Sequence, residues 1–161
     1  MDWVAVGLRF LHVGGGAAWL GASLFANLVI VPFIAGQPAD QRPALVERLV
    51  LAPEKVIIGG ALTAGLSGLI LGLAGRGFTS IGALATPAGV VWLAAIAIAI
   101  VVFGAGGRIT SPAARRLQRP PVSDDDDRGS DQALGRLRTG FRIELAGIAS
   151  ILALMVVLPR V

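Results

Sequence analysis

Four stretches of this chain are long enough, and free enough of charge, to cross a bilayer, and this restricts the fold more than any other feature of the sequence. A hydrocarbon core of about 30 Å takes roughly 20 apolar residues per helical crossing. The sequence predicts crossings at about 3–34, 55–73, 87–105 and 141–158. Pro32 closes the first and Pro53 precedes the second; Thr86-Pro87 opens the third, because proline is pre-organised for the first helical position. Pro159 ends the fourth. The expected fold is all-α: a four-helix transmembrane bundle forming one integral membrane domain over 1–161. Met1-Asp2-Trp3 lacks the basic start of a secretory signal, and the apolar run behind it is too long for one, so the first stretch reads as a membrane helix.

Composition agrees. Of 161 residues, 55% are hydrophobic and 15% charged, with a mean hydropathy of +0.77, too apolar for an ordinary soluble domain. The net charge of +4 falls in blocks rather than over a surface, which argues against nucleic acid as a partner. The lipid bilayer is the expected partner. With no cysteine, the chain cannot by itself supply disulfides, thiolate metal sites, iron–sulfur clusters or a cysteine nucleophile. With one histidine, it cannot hold a bis-histidine haem alone.

Basic residues are unevenly distributed between the two sides. Arg42, Arg48 and Lys55 border the first loop, and Arg108, Arg115, Arg116, Arg119, Arg128, Arg136, Arg138 and Arg142 border the third. The other face has Arg76, Arg160 and a partly embedded Arg9. The positive-inside rule therefore predicts a multi-pass protein with the larger loops in the cytoplasm and both termini outside. The stretch 106–131, with its Arg-Pro-Pro and four aspartates, reads as a flexible cytoplasmic loop. Beyond it Ser130 or Asp131 is the expected cap of a helix carrying Leu134, Leu137, Phe141 and Leu145 at helical spacing.

The chemistry concentrates on the first helix, where Arg9, His12, Gly16, Trp19, Ser23 and Asn27 follow at three- and four-residue steps and share one face. Intramembrane Arg and His are costly against lipid, so this face should turn inward, toward a cavity, a cofactor or a partner subunit. His12 lies about 12 Å below the outer end of its helix by the rise per residue. Ser67, Gly89 and Ser150 fall at about that depth on the other helices. A neutral imidazole there can ligate iron or copper, relay a proton or hydrogen-bond to a facing helix. Arg9 can snorkel to the outer headgroups or pair with a buried anion such as a propionate. Trp19 serves as packing or as a cofactor wall, and Asn27 as helix-to-helix glue.

Gly60, Ala64, Gly68 and Gly72 make a small-residue stripe on the second helix, suited to close packing within the chain or to a homodimer seam. Gly16-x-x-Trp19-Leu20 recurs as Gly89-x-x-Trp92-Leu93. At the cytoplasmic end Glu54, Lys55, Arg142 and Glu144 read as interfacial salt bridging, with Glu144 deep enough to carry protons or meet a base inside the bundle.

Leu8-Arg9-Phe10-Leu11-His12, then Ala18-Trp19-Leu20-Gly21 and a helix ending in Val31-Pro32, resembles the opening helix of the CopD and HemJ-like families. The Arg42–Leu51 segment, the basic loop after helix three and the Phe141-Arg142-x-Glu144 opening of the last helix are similar too, and the resemblance implies a multi-pass protein of a bacterial cytoplasmic (inner) membrane. The HemJ-like branch implies a haem-binding protoporphyrinogen oxidase using the first-helix histidine, matched by His12, and a third-helix lysine that this chain lacks. The CopD-like branch implies copper uptake, for which His12, Met1 and Met155 are the inventory. The leading expectation is haem b or another porphyrin in the bundle, held by His12 as the metal ligand with Arg9, Gly16, Trp19, Ser67 and Ser150 around it, serving electron transfer or porphyrin chemistry. The alternatives are a non-enzymatic accessory subunit of a larger membrane complex and, third, copper handling.

Overall fold

The computed structural model describes residues 2–120 and 124–157, all helix and turn without a strand among them. Four long helices carry the fold: α1 Trp3–Ala35, α2 Arg42–Gly75, α3 Pro87–Leu117 and α4 Asp124–Val157. Each is apolar and long enough to cross a membrane, so the expected all-α four-helix membrane bundle is what the chain forms. Local chemistry sets several of the helix ends. The Asp2 carboxylate accepts from the N–H groups of Val4 and Ala5, and the Thr86 hydroxyl accepts from Gly89 N–H at 3.1 Å, the start expected at Thr86-Pro87. Gly77, at φ +68°, turns the chain between α2 and the single-turn helix Ile81–Leu84.

The helices are longer than the apolar runs. α2 begins at Arg42, thirteen residues before the expected start, and α3 runs to Leu117, past Gly104, Gly106 and Gly107. Most of the stretch expected as a flexible loop, 106–131, is therefore helix, while residues 121–123 lie outside the described residues. Hydropathy marks only the lipid-embedded part; the extensions persist because they bury a second core. Ile30, Val31 and Ile34 of α1 meet Val46 and Val50 of α2, Ala114 and Leu117 of α3, and Leu134, Leu137 and Phe141 of α4. At 1.5 Å per residue, helices of this length exceed a hydrocarbon core by roughly 15–20 Å, so this cluster sits at the arginine-rich end.

Ser130 and Asp131 do not cap α4, which starts at Asp124. They hold Arg42 instead: its guanidinium donates to the Asp131 carboxylate at 2.6 Å and to Ser130 Oγ at 3.3 Å. A nearly buried guanidinium needs such partners, whereas α4 has earlier residues with which to begin.

Candidate functional site: two cavities divided by Trp19

α1 and α2 pack backbone to backbone. A Cβ on Gly15 would stand 2.8 Å from both Ala64 N and Gly60 O, and one on Gly60 would stand 3.2 Å from Gly15 O. Farther out, the stripe on α2 receives rings from its neighbours. A Cβ on Gly68 would stand 2.7 Å from Cε1 of His12, and one on Gly72 would overlap the Trp92 indole. The stripe therefore serves packing within the chain. Gly15, which the sequence reading does not single out, is enclosed by backbone atoms of α2.

An outer cavity of about 430 Å³ opens beside His12. Arg9, His12 and Trp19 of α1 line it, with Gly68 and Gly72 of α2, Trp92 of α3 and Met155 of α4. His12 Nδ1 lies 2.8 Å from the carbonyl oxygen of Ala64. A carbonyl only accepts, so Nδ1 carries a proton, and in the neutral ring the lone pair is then on Nε2. Trp92 donates its indole N–H to Gly68 O at 3.4 Å and packs against Phe78, ring centroids 5.3 Å apart. The π-helical turn Leu71–Gly75 lies along this cavity. Arg76 also lines it, and Arg9 is exposed at its edge.

The remaining expected residues divide. Trp19 is buried and lines the cavity. Ser67 is buried on α2 and returns its hydroxyl to the carbonyls of Thr63 and Ala64, within its own helix. Gly16 is half-buried with open space where a side chain would begin. Ser150 is exposed and bonds back to Ala146 O at 2.8 Å, so it does not face His12. Asn27 donates to the Ser23 and Phe141 carbonyls, both at 2.9 Å, tying α1 to α4 as expected. Ser23 is fully buried, and its hydroxyl has no partner among the described residues. The two Gly-x-x-Trp-Leu segments supply both tryptophans of the outer cavity, although Gly89 packs tightly against the Ala83-Leu84 backbone and Gly16 does not.

An inner cavity of about 260 Å³ lies toward the arginine-rich end, lined by Glu54, Phe103, Gly106, Thr110, Phe141 and Glu144 among others. Trp19 lines both cavities and forms the partition. Its indole N–H donates to Glu144 Oε1 at 2.6 Å, and its ring stacks on Phe103 at 5.7 Å. Glu144 thus meets an indole rather than Arg142, and Glu54 accepts from Ser111 Oγ at 3.3 Å rather than pairing with Lys55. The Trp19–Glu144 pair joins residues 125 apart in the chain, and no local spacing signals it.

Among the described residues, no group of three or more His, Cys, Asp or Glu side chains is placed to hold a metal ion. Any metal held here would have to be bound by few protein ligands. No protein-family model matches the chain, and no curated protein or solved structure does either.

Proposed function

We propose that this integral membrane protein binds a haem or porphyrin in the outer cavity, where His12 would hold the metal through Nε2. The observation that carries the reading is the 2.8 Å contact between His12 Nδ1 and Ala64 O. Metal-ligating histidines characteristically donate their other ring N–H to a carbonyl or carboxylate, which fixes both the tautomer and the ring orientation. The rest of the cavity is compatible. Its volume falls in the ordinary range for cofactor sites, roughly 300–1,000 Å³. Two tryptophans in its lining offer flat faces to a planar macrocycle, and Arg9 and Arg76 bring to the same lining the cations that ring carboxylates would require. Bound there, such a group would supply one-electron exchange at iron or redox chemistry of the ring.

The chain's own part is to hold and shield. Ala64 and Gly68 orient the imidazole, Trp92, backed by Phe78, forms part of the wall, and Trp19 separates the cavity from the carboxylates below. Met155 brings a thioether to the same cavity. His12 and Met155 make a two-ligand inventory for copper, fewer than copper handling calls for.

The test compares wild-type protein with His12→Ala, both purified in detergent from haem-replete cells. The expected result is a Soret band in the wild type that the variant loses while keeping its helical circular dichroism. An unchanged band in a folded variant rules out His12 as the ligand.

A further inference from the structure

Among the described residues, the inner cavity is lined by two carboxylates and no basic side chain. Glu144 faces Trp19 of α1, Glu54 of α2, and Thr110 and Ser111 of α3 across this space; Asn27 lies nearby, bonded to Phe141 O. Arg142, on Glu144's own helix, and Arg108, on α3, are exposed and line neither cavity. An ionised carboxylate inside a membrane bundle is costly without a cation, and intramembrane acids of this kind mark ion or proton sites. Trp19 occupies one oxygen of Glu144 with a neutral donor, which supplies no compensating charge.

Thr110 and Ser111 continue the same wall of the cavity. Thr110 lines the cavity, and its hydroxyl is fully buried without a partner among the described residues. That hydroxyl lies against Gly140 of α4, where an added Cβ would overlap it, so it is closed into the contact between α3 and α4. At about 30 Å³ per molecule, 260 Å³ has room for several waters. Gly106 and Gly107, in the π-helical turn Gly106–Thr110, leave the α3 wall without side chains at this point.

We propose that the inner cavity is a proton-binding chamber in which Glu144 takes up the proton, reached from the arginine-rich end of the bundle past Glu54. A proton from water bonds to a lone pair of the Glu144 carboxylate, giving the neutral acid. It leaves by the same route, and no electron moves. Glu54, at the opening of the α2 crossing and held by Ser111, gathers protons at the mouth. The indole of Trp19 stands between Glu144 and the outer cavity, so the charge at Glu144 changes the potential there from one ring away. This inference does not depend on what the outer cavity binds.

Trp19 is its natural reporter. In Trp3→Phe/Trp92→Phe protein, Trp19 is the remaining tryptophan. Reconstituted in phosphatidylcholine vesicles of known orientation, it should show a sigmoidal change in emission when the pH is varied at the arginine-rich face. Glu144→Gln should abolish this change, Glu144→Asp should keep it with a shifted midpoint, and Glu54→Gln should slow its onset after a pH jump. Infrared difference spectra should show the carbonyl stretch of a protonated carboxylic acid that Glu144→Gln removes. Emission insensitive to pH at either face, an unchanged titration in Glu144→Gln, or a response only to the opposite face would overturn the proposal.

Discussion

Gly68 lacks a side chain where the His12 ring lies, and this makes it the most direct lever on the outer cavity short of the histidine itself. Gly68→Ala should push the imidazole off its contact with Ala64 O and weaken cofactor retention, read as a fall in the haem-to-protein ratio, while Gly59→Ala, on the same helix, meeting open space and lining neither cavity, should leave it unchanged. The carboxylate of Glu144 makes a different demand. Trp19→Phe removes its indole donor and should destabilise the protein by roughly 1–3 kcal/mol, the cost of leaving a buried acceptor unmade, measured by denaturant titration in detergent. At this scale the sequence is partly legible. The three- and four-residue steps from Arg9 to Asn27 place His12, Trp19, Ser23 and Asn27 on the inward face of α1. Ser150 is misplaced because rise per residue gives depth along a helix but not the rotation of one helix about its own axis. Glu144's partner is hidden for a related reason: the contact is made by two helices whose facing depends on the whole bundle.

Along the elements, the α1–α2 seam depends on backbone contact and the Arg42 tie on charge. Gly15→Ala places a methyl against Gly60 O and Ala64 N, both backbone atoms that cannot step aside, so α1 and α2 must part. A loss of about 1–3 kcal/mol is expected, as for overpacking elsewhere. Arg42→Ala should cost less than its short distance suggests, about 1 kcal/mol, because Asp131 is 71% exposed and regains water when released. A double-mutant cycle with Asp131→Ala measures the coupling directly. Apolar runs reveal where helices cross the membrane, yet they understate helix length. The segments 42–54, 106–117 and 124–130 are rich in charge and turn formers, so they look like loops until Val46, Val50 and Leu117 are seen meeting Leu134 and Leu137 in one core. Leu134, Leu137 and Phe141 at helical spacing are the part of that core the sequence does disclose.

As a whole, the molecule is a bundle with a packed arginine-rich end and a membrane-embedded part hollowed into two cavities on either side of Trp19. The expected orientation places the arginine-rich end in the cytoplasm, and the absence of cysteine gives a clean background for testing it. In cells, Arg138→Cys should react with a membrane-impermeant maleimide only after permeabilisation, and Thr79→Cys before it; the reverse pattern would invert the topology. Composition and hydropathy disclose the bundle, but they do not disclose cavities, which form where glycines and short side chains of several helices coincide. The central claim is that the outer cavity holds a haem or porphyrin, and the most direct measurement is the absorption spectrum of detergent-purified wild-type protein, oxidised and then reduced with dithionite. A Soret band that sharpens and shifts on reduction, with resolved α and β bands, is the predicted result for haem. Protein from haem-replete cells that shows neither a haem nor a porphyrin spectrum would contradict it.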